Sequence, residues 1–477
     1  MRPRPDKPVI PAARGDPDPD TPHAGIRTLR DDALVVFLSD THIGGDPGQD
    51  YFESPEDLAA LFEELAGYAG PVELVLAGDF FDLLKIVAVP PGENRASATI
   101  SRPEYRGLFR ALRDFASGGD RRVVYLPGNH DAEVWWNEGI QGTLREEGLV
   151  DEFALSYAAR FGSVPDRLVY CEHGNQFDPA NAITDYDEPL DTPFGDHIVT
   201  DVVRRISPAG RIGRDLDLRD VGMVYPLVSI PEWVAGRVFY DLLSRVATYL
   251  LLPLLVGYAA YRIVAYGIAV SPDGSQPVSF WDSYATLPGV QAVFGEIAWD
   301  ALLLVSVLVL FFLAVRRAAT RTIGSVVSRI PGEGPSAGRI EALLRSGDHP
   351  PQRPDLRGRE IDVFVSGHTH SPALSRVPRD DGEGAVVVNS GCWLRQLRPV
   401  RARFGGPPVY APGFVQTHAR VYLEGAGIRA ELWEHPRPAS RHLRAAERLA
   451  VLGRLPAQPA PDAAPRISAR GTPSEDL

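Results

Sequence analysis

Apolar residues in this chain gather in short runs that end abruptly on polar ones. Segments 33–39, 72–77, 122–126, 168–172, 361–366 and 385–389 are rich in Val, Leu, Ile and Ala, and most run directly into Gly, Asp, Asn or His. Near-continuous apolar runs of this length predict strands buried on both faces, with polar groups carried at their ends. Helical spacing of apolar residues at 55–68 and 104–117 predicts intervening amphipathic helices. The alternation predicts an α/β domain whose helices cover a buried sheet. Residues 415–424 and 427–434 alternate with period two about a Gly-containing turn, which predicts an antiparallel hairpin.

Two runs break this rhythm. Residues 249–270 are apolar apart from Arg262, and 297–315 are interrupted only by Asp300. Spanning a bilayer core takes about 20 residues, so the two runs predict a transmembrane hairpin. Arg237 and Arg245 precede the first run, Arg316, Arg317 and Arg321 follow the second, and 271–296 hold no Lys or Arg. That asymmetry places both ends in the cytoplasm. Arg262 and Asp300 fall at similar depth on the two antiparallel helices and are expected to pair. A buried soluble helix pair, such as a dimer interface, is the alternative. Arg204, Arg205, Arg211, Arg214 and Arg219 precede the hairpin. They fit either topogenic charge or an anionic headgroup surface.

Composition narrows the class. The chain has 477 residues and a net charge of −13, against a nucleic-acid-binding surface. Its two cysteines, Cys171 and Cys392, offer no disulfide framework or cysteine-rich zinc site. Positive charge is almost all arginine, since Lys7 and Lys85 are the only lysines. The Pro-, Asp- and Arg-rich residues 1–30 and the Pro-, Ala- and Arg-rich end are predicted as poorly ordered tails, apart from a helical pattern at 440–452.

The chemistry lies at the strand ends. Asp40-Thr41-His42, Gly78-Asp79, Gly128-Asn129-His130-Asp131, His173-Gly174 and Gly367-His368-Thr369-His370 each follow an apolar run. Residues i and i+2 of an extended segment point the same way, so Asp40 and His42 can serve one site. The Asp79 carboxylate can bridge two cations, Asn129 offers a carbonyl oxygen, and His173, His368 and His370 offer imidazole nitrogens. Mixed oxygen and nitrogen donors without thiolate suit Mn, Fe or Zn. Taken singly, each motif is an ordinary turn; together, and in this order, they point to a metal centre.

These five blocks resemble those of the calcineurin-like metallophosphoesterase family, over residues 33–178 and 356–436. The resemblance implies a four-layer α/β/β/α sandwich of two packed sheets, here with the helical transmembrane hairpin inserted. It implies two divalent metals, manganese first among them: one held by Asp40, His42, Asp79 and His370, the other by Asp79, Asn129, His173 and His368. His130 corresponds to the family's non-ligand histidine, which assists the leaving oxygen, and Asp131 is expected to orient it. Gly78-Asp79-Phe80-Phe81-Asp82 is similar to a motif of the UDP-2,3-diacylglucosamine diphosphatase branch. Asn175 and His130 depart from that branch, where Asp and Arg are usual.

The resulting division is a tail at 1–30, the catalytic domain at 31–195 and 356–436, an insertion at 196–355, and a tail at 437–477. The expected function is a membrane-anchored hydrolase of a phosphate ester or pyrophosphate, lipid-linked, at the cytoplasmic face of the cell membrane. A tethered enzyme for soluble phosphatase or nucleotide substrates is one alternative. An inactive scaffold of the same fold is another.

Overall fold

The computed structural model describes residues 25–45, 50–86, 93–188, 218–226, 229–246, 252–270, 336–379 and 384–473, with isolated residues at 89, 248–249 and 295–313. Two β-sheets form its centre. One has the order β1 (Arg27–Leu29), β6 (Tyr157–Phe161), β7 (Val164–Cys171), β8 (Ile361–Ser366), β10 (Gly384–Asn389) and β9 (Ala373–Pro378). The other runs β14 (Arg466–Gly471), β13 (Gly427–Glu434), β12 (Val409–Glu424), β2 (Leu34–Leu38), β3 (Val72–Ala77), β4 (Arg121–Leu126) and β5 (Glu152–Phe153). Strand β11 (Trp393–Val400) pairs with the first half of β12.

Period-two alternation explains the layering. In β2, Val35 and Phe37 face the other sheet while Leu34, Val36 and Leu38 face outward under helices. Val169 and Cys171 of β7, Val363 and Val365 of β8, and Val386 and Val388 of β10 meet them in the same inter-sheet core. The outward face of the larger sheet is covered by α1 (Pro55–Ala66) and α3 (Arg106–Ala116), with α2 (Arg95–Ile100), α4 (Glu133–Trp136) and α5 (Glu138–Glu146) around them. Apolar residues of α3 at helical spacing, Leu108, Phe109, Leu112 and Phe115, are buried there. The outward face of the smaller sheet, with Tyr170 and Phe364, packs on Ile340 and Leu344 of α8 (Ser336–Ser346). Helix, sheet, sheet and helix therefore stack as expected.

Topology puts the site at one end. Strands β2, β3, β4 and β5 are mutually parallel, as are β7, β8 and β10. The motif residues all follow the carboxyl ends of these strands, the usual place for a ligand crevice in such sheets.

Several expectations need correction. Arg27–Leu29, inside the segment read as a tail, pairs in parallel with β6. Arg466–Gly471, inside the other, is an edge strand on β13. Both edge strands carry too few apolar residues to announce themselves in sequence. The insertion is also not separate: α6 (Ile230–Val246) packs Phe239 and Tyr240 against Ala402, Val409 and Val451, with α9 (Ala445–Ala450) alongside.

The first long apolar run forms α7 (Leu252–Val270). No helix among the described residues is long and apolar enough to cross a membrane, so the expected transmembrane hairpin is not supported. The Arg262 side chain lies outside the described residues, so the Arg262–Asp300 pair does too; the Tyr258 hydroxyl donates to Asp300. Arg204, Arg205, Arg211 and Arg214 also fall outside the described residues.

Phe109 is buried at 2% exposure and stacks on Phe81, two residues from Asp79. Phe109→Ala is expected to destabilise the domain by about 3–5 kcal/mol, measured as a lowered midpoint in urea unfolding.

Candidate metal centre

Each motif residue sits on a tight turn leaving its strand. Asp40, His42, Asp79, His368 and His370 all have left-handed backbone, with φ between 47° and 67°. Such φ values are uncommon outside glycine and gather where surrounding structure enforces them. These five are the only non-glycine positive-φ residues among those described, and all five carry expected metal ligands.

The turns are tied to each other. Asp40 N donates to the Gly78 carbonyl (3.1 Å) and His42 N to that of Asp79 (2.9 Å), joining the first two motifs. His130 N donates to Asp79 Oδ1 (2.8 Å) and His368 N to Asp40 Oδ2 (2.9 Å). Gly367 N donates to the His173 carbonyl at 2.8 Å. Close approach explains two of the glycines. A Cβ on Gly128 would collide with the Asp79 carboxylate, and one on Gly367 would collide with Ser39 and the Asp40 carboxylate.

The donor atoms converge. Asp40 Oδ1 lies 3.2 Å from His370 Nε2 and 3.9 Å from His42 Nε2, and the two imidazole nitrogens are 3.0 Å apart. Asp79 Oδ2 lies 3.7 Å from His42 Nε2 on one side and 3.3 Å from His173 Nε2 on the other. It stands between two donor groups, as a bridging carboxylate must. Donors bonded to a cation at about 2.0–2.2 Å are themselves roughly 3–3.5 Å apart, so this spacing fits.

Satisfaction of polar atoms points the same way. Asp40 Oδ1, Asn129 Oδ1 and His173 Nε2 are buried without a hydrogen-bond partner, a costly state that a cation relieves. His173 Nδ1 is 2.9 Å from the Ala77 carbonyl. Donation there turns Nε2 toward Asp79 and the site, the usual orientation of a metal-binding histidine. Burial disfavours a charged His173, yet Asp79 and Asp40 push its pKa up to about 10. The carboxylates thus draw positive charge into the site. Asp40, His42 and His370 form one candidate cluster, and Asp40, Asp79 and His173 an adjoining one. Asn129 presents its orphaned oxygen, while His368 stacks edge-on with His173 and holds Asp178 Oδ2 at 3.1 Å through Nε2.

His130 and Asp131 part company. Asp131 accepts from Gly128 N (2.6 Å), Asp79 N (3.3 Å), Phe81 N (3.3 Å) and the Tyr125 hydroxyl (2.5 Å), clamping two motif loops together. The residue at His130 is Asp82, whose Oδ1 is 3.2 Å from His130 Nδ1. The expected orienting role of Asp131 is therefore corrected: sequence adjacency misled, because the Asp131 side chain turns back into its own loop. Burial opposes a charged His130, but Asp79 and Asp82 raise its pKa to about 9. Asp82 and Asp178 are the site residues not assigned from sequence; their signal was the second Asp of Gly78–Asp82 and an Asp five residues beyond His173.

Trp135 is buried and donates to Asp187. His418 is fully buried, stacked on Trp433 and accepting from Arg420, while His197 lies outside the described residues. Asn389 holds the last motif, donating to the Gly367 carbonyl (2.7 Å) and Thr369 Oγ1 (3.0 Å).

Residues 33–218 match the family described as calcineurin-like phosphoesterase. The match spans the strands from β2 to β7 and the motifs from Asp40 to His173, and it supports a metal-dependent phosphoester hydrolase of that family. It does not single out the UDP-2,3-diacylglucosamine diphosphatase branch. No curated protein matches the chain.

Gly128→Ala is expected to lower metal affinity by about 10–100-fold by displacing Asp79, with little loss of helix content. Metal titration followed by calorimetry, alongside circular dichroism, measures both.

Proposed function

We propose that this protein hydrolyses a phosphate ester or pyrophosphate on a lipid-linked substrate at a membrane surface, using two divalent cations, manganese first among them. The observation that carries the hydrolytic reading is Asp79 Oδ2, set between the Asp40–His42–His370 donors and His173 Nε2. Asp40, His42, Asp79 and His370 would hold one cation, and Asp79, Asn129, His173 and His368 the other. Bound there, such cations supply Lewis acidity toward phosphoryl oxygens and lower the pKa of water to near neutrality.

The chain's own groups do the remainder. With Nδ1 fixed by Asp82, His130 has Nε2 left to hold a proton and deliver it to the leaving oxygen. Asp131 keeps the Asp79 and Gly128 loops in register. The convergence of Asp40, Asp79, His42, His173 and His370 favours an enzyme over an inactive scaffold, which has no need of it.

Support for a lipid-associated substrate comes from the insertion. Tyr249, Val256, Tyr261 and Val264 on one side, and Trp299, Leu303 and Leu310 on the other, are all at least 60% exposed. Apolar residues exposed in such number on two segments joined by the Tyr258–Asp300 bond fit a membrane interaction surface. Attachment through these segments would leave the catalytic domain at the cytoplasmic face.

In a screen with added Mn²⁺, the wild type is expected to release phosphate or a phosphorylated product, and Asp79→Asn to abolish this. His130→Ala is expected to lower kcat by about 10²–10⁴-fold while both metals stay bound by elemental analysis. An inactive wild type, or an unaffected His130→Ala, contradicts the reading. The full chain is expected to co-float with anionic phospholipid vesicles; failure to bind them excludes attachment through these segments.

A further inference from the structure

Lys85 holds a singular position in a chain that otherwise relies on arginine. Of 49 basic residues only Lys7 and Lys85 are lysines, and Lys85 lies beside the metal centre. Its ammonium pairs with Asp82, the carboxylate that holds His130 Nδ1 and faces His42 Nδ1 at 3.6 Å. The same ammonium sits over the Tyr51 ring, 3.5 Å from its centroid. The side chains of Lys85 and Asp82 are 14% and 1% exposed, so solvent screens this arrangement weakly.

Tyr51 is held in turn by the insertion. Its ring packs against the apolar cluster of Val221, Met223, Val224 and Trp233. Gly222 is in close contact with it: a Cβ there would collide with the ring edge and hydroxyl. The path from Gly222 through Tyr51, Lys85 and Asp82 to His130 is continuous, each step a contact.

We propose that Lys85 is a positioning residue for His130, and that the insertion sets its position by bracing Tyr51 through Gly222. A compact, rotatable ammonium can face a carboxylate and an aromatic ring at once in this space. A planar guanidinium, with its fixed fork of donors, fits that corner less well. Without the ammonium, Asp82 is free to swing toward His42 and release His130 Nδ1. The insertion then serves catalysis as well as location, because its docked segment completes the support of the proton-transfer histidine. This role rests on the phosphoester-hydrolase reading of the site.

The test compares Lys85→Met, Lys85→Arg, Tyr51→Phe, Tyr51→Leu and Gly222→Ala in the full chain with Mn²⁺. Lys85→Met should lower kcat by about 10–100-fold, with KM within about twofold and both metals retained. Lys85→Arg should recover only part of the loss. Tyr51→Phe keeps the ring and should behave as wild type, while Tyr51→Leu and Gly222→Ala should lower kcat. Gly222→Ala should add nothing in the Lys85→Met background, as expected for links in one path. Unchanged kcat in Lys85→Met overturns the proposal, as does a rise in KM alone, which would make Lys85 a substrate contact. Additive effects of Gly222 and Lys85 overturn the link to the insertion. A readout independent of turnover is the ¹⁵N resonance of the His130 imidazole in histidine-labelled protein, which should move in Lys85→Met and in Gly222→Ala. If the wild type hydrolyses nothing yet this resonance moves, the hydrolase reading fails and the link stands; a fixed resonance removes the link.

Discussion

Two carboxylates buried side by side are the constraint around which this molecule is arranged. Asp40 and Asp79 are shielded from water, where an uncompensated negative charge is costly. The protein holds them with backbone N–H groups from other motifs, His368 for Asp40 and His130 for Asp79, and rings them with imidazoles. These bonds cross between loops, and the one from His368 to Asp40 joins the turns of the two sheets. Left-handed backbone at Asp40, His42, Asp79, His368 and His370 fits the same demand: side chains point inward while N–H groups reach sideways.

That arrangement also explains why the carboxyl ends of the strands carry the chemistry while their middles carry the stability. Val35, Val75, Val169, Val365 and Val388 build a dry core between the sheets, fixing strand spacing below the site. Phe81, stacked on Phe109 and Tyr125, ties the Asp79 turn to the helical layer. Asp131, the residue most easily mistaken for a chemical group, belongs to this support: it fastens the Gly128 turn to the Asp79 turn. His130 and Asp131 thus stand next to each other in sequence with side chains turned to different partners, Asp82 for the one and the Gly128 and Asp79 turns for the other.

Much of this was legible in the sequence. Central strands buried on both faces leave long apolar runs, so β2, β3, β4, β8 and β10 were each anticipated to within a residue, while β7 begins four residues earlier than its apolar run, at Val164; the polar residues at their ends are the ones that converge on the candidate site. Edge strands β1 and β14 were hidden because one face of each meets solvent, leaving Ile467 and Ala469 as the only apolar residues of β14. Partners set by tertiary approach were equally hidden. Nothing local says that Asp82 rather than Asp131 meets His130, or that Tyr51 lies on Lys85.

The pairing of β7 with β8 has a consequence in time. These neighbouring parallel strands end and begin at Cys171 and Ile361, so the whole intervening segment leaves the ribosome before they can meet. His368 and His370 emerge later still, followed by the β12–β13–β14 edge that closes the second sheet. A nascent chain therefore exposes Asp40, Asp79 and His173 for the length of that excursion without the donors that complete the set. Synthesis itself thus leaves the donor cluster incomplete until the turn after β8 has emerged.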